Sequence, residues 1–126
     1  MYVGDLWDLG RPERITLIEK LENLRDSHII CYLTGDRPNF EVPIAPDVPR
    51  LLYEHLRLLP SDKKKIDLFL YSRGGDTSVP WRIVCGIRQF CEEFSVLIPY
   101  KAHSAATMIA LGADRVVMGN QAELSP

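Results

Sequence analysis

The chain has 126 residues, 46% of them hydrophobic and 25% charged, with a formal net charge of -2. That is apolar material for a single domain spanning 1–126, and so even a charge balance excludes the electrostatic footprint of a nucleic-acid or anionic-membrane binder. No run approaches the roughly 18 apolar residues of a membrane span and no basic-then-apolar leader opens the chain, so a cytoplasmic protein without membrane association is expected.

Met1 to Gly10, with Trp7, shows no sustained period and reads as an arm. Pro12 suits the first turn of a helix that continues through Ile15, Ile18, Leu21 and Leu24. His28 to Thr34 is an apolar run of strand length, broken by the turn residues Gly35 to Asn39. Three prolines stiffen the loop from Phe40 to Pro49, after which Leu51, Leu52, His55, Leu56 and Leu59 recur at helical spacing until Pro60. Lys63, Lys64 and Lys65 form a solvated turn before a second strand, Ile66 to Tyr71.

Ser72-Arg73-Gly74-Gly75-Asp76 ends that strand, and apolar residues from Val79 through Ile87, Phe90 and Cys91 to Phe94 predict a helix. Val96 to Pro99 is a third strand, the small-residue segment from Ser104 to Gly112 a tightly packed helix, and Asp114 to Gly119 a fourth strand. Strands alternating with helices imply βαβ units, hence an α/β fold with a mostly parallel sheet and helices on both faces. Cys31, Cys85 and Cys91 lie in apolar stretches without C-x-x-C spacing, and His28, His55 and His103 are scattered. The cysteines therefore read as reduced core or near-core residues, and no metal site or cofactor is expected.

In an open parallel sheet, ligands bind beyond the carboxyl ends of the strands. Two such ends carry chemistry here: Gly74-Gly75 after the second strand and His103-Ser104-Ala105 after the third. A glycine pair lets backbone approach closely, so the Gly75 N–H can face the crevice. With the N–H of Ala105 it would make a two-donor oxyanion hole beside the Ser104 hydroxyl. Ser before an apolar helix is also a preferred N-cap, and a glycine pair is also a plain turn.

Ile66 to Asp76, Val96 to Pro99 and Ala102 to Gly119, with the core Ser-Ala-Ala-Thr-Met-Ile-Ala-Leu from Ser104, resemble the serine dehydrogenase proteinase family. That family belongs to the Clp-protease and crotonase superfamily and is similar to the signal peptide peptidase A group. The likeness runs from about Ile66 to Pro126, where Ala122 to Pro126 resembles the family's small-x-Leu-Gly-Pro turn. It implies a Clp/crotonase-like domain, of which this chain would be an N-terminal portion, and a serine peptidase acting on polypeptide as a homo-oligomer. Ser104 would be the nucleophile, Gly75 and Ala105 the oxyanion hole, and the loop through Gly74, Asp76 and Thr77 the bed for an extended substrate. Ala105-Ala106 departs from the family, which usually has at least one Gly there.

A serine hydroxyl needs a general base. Relatives supply a Lys or His from further downstream, and nothing after Ser104 in this sequence is either. His103 is adjacent but neighbouring side chains at a turn diverge, Lys101 reads as solvated, and His28 falls at the wrong end of its strand. Two alternatives stay open. A non-catalytic peptide-binding or scaffold module would keep the groove without the base. A crotonase-like acyl-CoA hydratase or isomerase would use the same paired N–H groups, with Asp76 as the only well-placed carboxylate and no role for Ser104.

Overall fold

The computed structural model describes residues 10–126, so the predicted arm and its Trp7 lie outside the described residues. Helix α1 (Arg11–Arg25) opens on proline, and Asp26 in the left-handed conformation (φ 50°) stops it. It leads into β1 (His28–Leu33). After the proline-rich loop come α2 (Val48–Arg57), β2 (Lys65–Tyr71), α3 (Pro80–Arg88) and β3 (Glu93–Ile98). The chain closes with β4 (Lys101–His103), α4 (Ala105–Leu111), β5 (Arg115–Met118) and β6 (Glu123–Ser125).

Four strands form one parallel sheet in the order β1-β2-β3-β5. The register places Ile30 beside Leu68, Leu68 beside Val96 and Val96 beside Val116, so one row of aliphatic side chains crosses the sheet. Ile30, Leu68 and Val96 are buried together with Leu52 and Leu56 of α2, Ile83 and Ile87 of α3, and Ile109 of α4. Each fully buried side chain of this kind contributes about 2 kcal/mol through removal from water. The next row, Cys31, Phe69, Leu97 and Val117, points to the opposite face by the period of two. There α1 covers it in part, with Leu17 and Leu21 flanking the Phe69 side of the groove. Helices thus lie on both faces, as expected, although α1 has no fully buried residue.

Three local expectations change. The α3 helix ends at Arg88, and Phe94 belongs to β3, where it alternates inward with Val96 and Ile98 and is fully buried. Cys31 is exposed on the α1 face rather than in the core. Lys101–His103, between the predicted third strand and the helix at Ser104, and Glu123–Ser125, expected to form part of a turn, pair as a small parallel sheet.

Asp114 ties the start of β5 to the start of β3. Its N–H donates to Phe94 O at 2.7 Å, its Oδ2 accepts from Phe94 N–H at 2.8 Å, and Arg88 reaches its Oδ1 at 3.1 Å. These bonds, led by the Phe94 N–H and then Arg88, hold the carboxyl below its ordinary value. A carboxyl depressed in the folded state stabilises above its unfolded pKa and loses that contribution as pH falls through the folded value. Asp114→Asn is therefore expected to narrow the stability difference between about pH 7 and about pH 3 in urea titrations. An unchanged difference would show that Asp114 carries none of the acid sensitivity.

Candidate active site

Beyond the main sheet, β2 and β3 run on into a second layer. Ser72 bridges Ala102 in parallel: Ser72 N–H donates to Lys101 O at 3.1 Å, and His103 N–H donates to Ser72 O at 3.0 Å. On its other edge β4 pairs with β6. Two residues past the bridge on either segment lie Gly74 and Ser104. A Cβ built on Gly74 would stand 2.7 Å from Ser104 Cβ and 2.8 Å from His103 O, and Gly74 has φ +110°. Only glycine lets the two segments come this close.

Gly75 is fixed by a second isolated bridge, to Ile44. Ile44 N–H donates to Gly74 O at 2.9 Å and Asp76 N–H donates to Ile44 O at 2.8 Å. These bonds use the edge facing Ile44, so by strand alternation the N–H and C=O of Gly75 project from the opposite edge. No hydrogen bond among the described residues takes the Gly75 N–H. Beneath the loop, the buried Ser72 Oγ accepts from Gly74 N–H at 3.1 Å and from Thr34 Oγ1 at 2.8 Å. Ser72 and Thr34 thus orient the glycine peptides. Sequence reasoning passed over both, since a buried Ser two residues before Gly-Gly carries no signal without the fold.

Ser104 has φ 55° and ψ -121°, a sparsely populated conformation for a residue with a Cβ, costing of order 1–3 kcal/mol. Its side chain makes no cap bond to α4, so the N-cap reading fails. Its N–H donates to Ser125 O at 2.9 Å and its C=O accepts from Met108 N–H at 3.2 Å. Among the described residues nothing engages its hydroxyl, or the N–H of Ala105 in the first helical turn. Ala105 and Ala106 are fully buried, which explains small side chains behind the turn.

The other expected site residues have occupations of their own. Asp76 Oδ1 accepts from Ser78 N–H at 2.8 Å and Ser78 Oγ at 2.6 Å, and these two bonds hold its carboxyl below the usual range. Thr77 lies exposed in the same turn, which closes through Val79 N–H to Asp76 O at 3.3 Å, so the extended stretch beyond Gly75 is short. His103 Nε2 is 2.8 Å from Glu123 Oε1 and Lys101 Nζ stands 4.9 Å from the centre of the Tyr100 ring. Neither is hydrogen-bonded to Ser104. His28, at the start of β1 and far along it from the glycines, meets Asp62 at 2.8 Å. At the rim, Tyr71 donates to Asp36, which Arg73 Nε also approaches at 3.3 Å. That hydroxyl, then the guanidinium, lowers the Asp36 carboxyl, while its hydrogen bond to Asp36 raises the Tyr71 hydroxyl.

The closeness of Gly74 to Ser104 yields a direct check. Gly74→Ala is expected to destabilise the protein by about 2 kcal/mol or more, from strain at positive φ plus overlap with Ser104 and His103 O. A melting temperature equal to wild type would mean that the two segments are not packed as described.

No family model matches the chain. Two uncharacterised proteins of Methanocaldococcus jannaschii are 28% and 26% identical over 90% of this chain, and the chain spans 41% of the length of each. Among solved structures, an enoyl-CoA hydratase from Mycobacterium smegmatis superposes with a TM-score of 0.54 at 20% identity, over 78% of this chain and 46% of that one. Another enoyl-CoA hydratase structure from that organism gives a TM-score of 0.50 at 20% identity, over 76% of this chain and 44% of that one. At such identities the likeness is one of fold, and the fold of this chain is crotonase-like.

Proposed function

We propose that the chain carries the nucleophile and oxyanion hole of a serine peptidase of the serine dehydrogenase proteinase type, within the Clp and crotonase superfamily. The observation that carries this reading is Ser104 itself: a non-glycine residue at φ 55°, with an uncapped hydroxyl, packed against the Gly74-Gly75 loop. Strained backbone at a strand-to-helix turn is a recurring way of presenting a nucleophile.

In this reading Ser104 Oγ attacks the carbonyl carbon of a peptide bond, and the resulting oxyanion accepts hydrogen bonds from the N–H groups of Gly75 and Ala105. The proton leaves Oγ for a base, which then passes it to the departing amine, and water releases the acyl group. The base comes from a part of a longer polypeptide beyond these 126 residues or from a side chain of a second subunit of a homo-oligomer. The free edge of Gly75 pairs with the substrate backbone, and the turn at Asp76 to Val79 limits that pairing to one or two hydrogen bonds. A second reading, a peptide-binding module without catalysis, draws support from the engagement of His103 by Glu123 and of Lys101 by Tyr100.

Labelling by a fluorophosphonate separates the two. The full-length polypeptide is expected to be labelled on Ser104, and Ser104→Ala to abolish labelling without loss of fold, since the hydroxyl caps nothing. Residues 1–126 alone are expected to label roughly 10²–10⁴-fold more slowly for want of the base. A full-length protein that binds peptides but resists the reagent would favour the binding module, and labelling that survives Ser104→Ala would remove the nucleophile assignment.

A further inference from the structure

Thr107 stands in the first turn of α4, three residues beyond Ser104. A helical threonine ordinarily turns its hydroxyl back to the carbonyl three or four residues earlier in its own helix. Here those residues precede the helix, and Thr107 Oγ1 reaches across instead, lying 2.6 Å from Ser125 O and 2.9 Å from Ala102 O. One hydroxyl has one proton, and the shorter contact marks Ser125 O as its principal acceptor. The same oxygen accepts the N–H of Ser104 at 2.9 Å. Both lone pairs of the Ser125 carbonyl are thus filled, one by the strained residue and one by the helix that follows it.

We infer that Thr107 is a positioning residue that holds Ser104 in its positive-φ conformation by way of the Ser125 carbonyl. Ser104 left to itself would relax toward the helical or extended regions, where a residue with a Cβ is unstrained. Such a change swings the Ser104 N–H off β6 and re-aims the hydroxyl. The Ser104 N–H bond alone tethers one side of the turn. The Thr107 bond fixes the first helical turn to the same atom, so the residues on both sides of the strained φ share one anchor. The chemical consequence rests on the peptidase reading above, whereas the conformational consequence does not.

The test compares Thr107→Val, which keeps the shape and removes the hydroxyl, with Thr107→Ser, which keeps the hydroxyl. Two readouts on the full-length, isotopically labelled protein report on Ser104 without any chemistry: its amide exchange rate and its HN–Hα coupling, which depends on φ. A third is the rate of fluorophosphonate labelling. Thr107→Val is expected to speed exchange of the Ser104 amide and to slow labelling, each on the order of tenfold, as suits the loss of one part-buried hydrogen bond. Thr107→Ser is expected to restore both toward wild type. Wild-type exchange and coupling in Thr107→Val, or a Thr107→Ser protein no better than it, would overturn the proposal. Backbone readouts that respond as stated in a protein that never labels would uphold the positioning role and sink the peptidase reading.

Discussion

A single parallel bridge, Ser72 to Ala102, sets the geometry of everything at the carboxyl ends of the strands. Its two hydrogen bonds, 3.1 and 3.0 Å, lock the continuations of β2 and β3 into one register. Parallel pairing advances both segments together, so whatever lies two residues on must meet: Gly74 on one side, Ser104 on the other. Slipping that register by one residue would put Arg73 or Gly75 against Ser104. The bridge is small, yet the main sheet on which it rests is not. Leu68, Leu70, Val96 and Ile98 are all buried immediately before it, so the core supplies the rigidity and the bridge the alignment.

Much of this was legible in the sequence because it depends on period and punctuation. The apolar runs around Ile30, Leu68 and Val96 are strands of the main sheet, and Pro12, Pro49 and Pro80 sit where helices begin. What misled was continuation of a pattern: Ile87, Phe90, Cys91 and Phe94 keep helical spacing past the end of α3. The alternation Phe94, Val96, Ile98 that marks the strand overlaps it by one residue. The β4 and β6 strands left no trace, being three residues each, with polar or small side chains at most positions. Their pairing is a product of the fold rather than of propensity. The same holds for the candidate site. Residue types pointed to Ser104, Gly75 and Ala105, but a serine before a helix looks like a cap, and only the backbone angle and the idle hydroxyl tell otherwise.

The sheet's two faces are unequal in a way that bears on how this chain sits in anything larger. Parallel sheets are characteristically covered on both sides. One face here has three helices and the buried core, while the other has α1 among the described residues and leaves Cys31 exposed and Val117 about 40% exposed. The crotonase-fold neighbours are more than twice as long as the stretch they share with this chain. The candidate site lies on the second layer, at the far ends of the strands, and its loops, though not the base that the peptidase reading requires, are built from residues between Thr34 and Ser125. Its architecture therefore does not wait on what covers the open face.

Position 104 also poses a question of residue choice. At φ 55° and ψ -121° the backbone favours glycine, and no bond made by the serine hydroxyl among the described residues offsets the strain. Selection for stability alone would fill such a place with the residue that has no Cβ, and the neighbouring Gly74 and Gly75 show that this chain uses glycine where the backbone asks for it. On the peptidase reading, a side chain kept against the preference of its own backbone is a feature that trades folding free energy for activity. The trade also runs in the other direction: on that reading, exchange of Ser104 for glycine would relieve the backbone strain and raise stability while removing the chemistry.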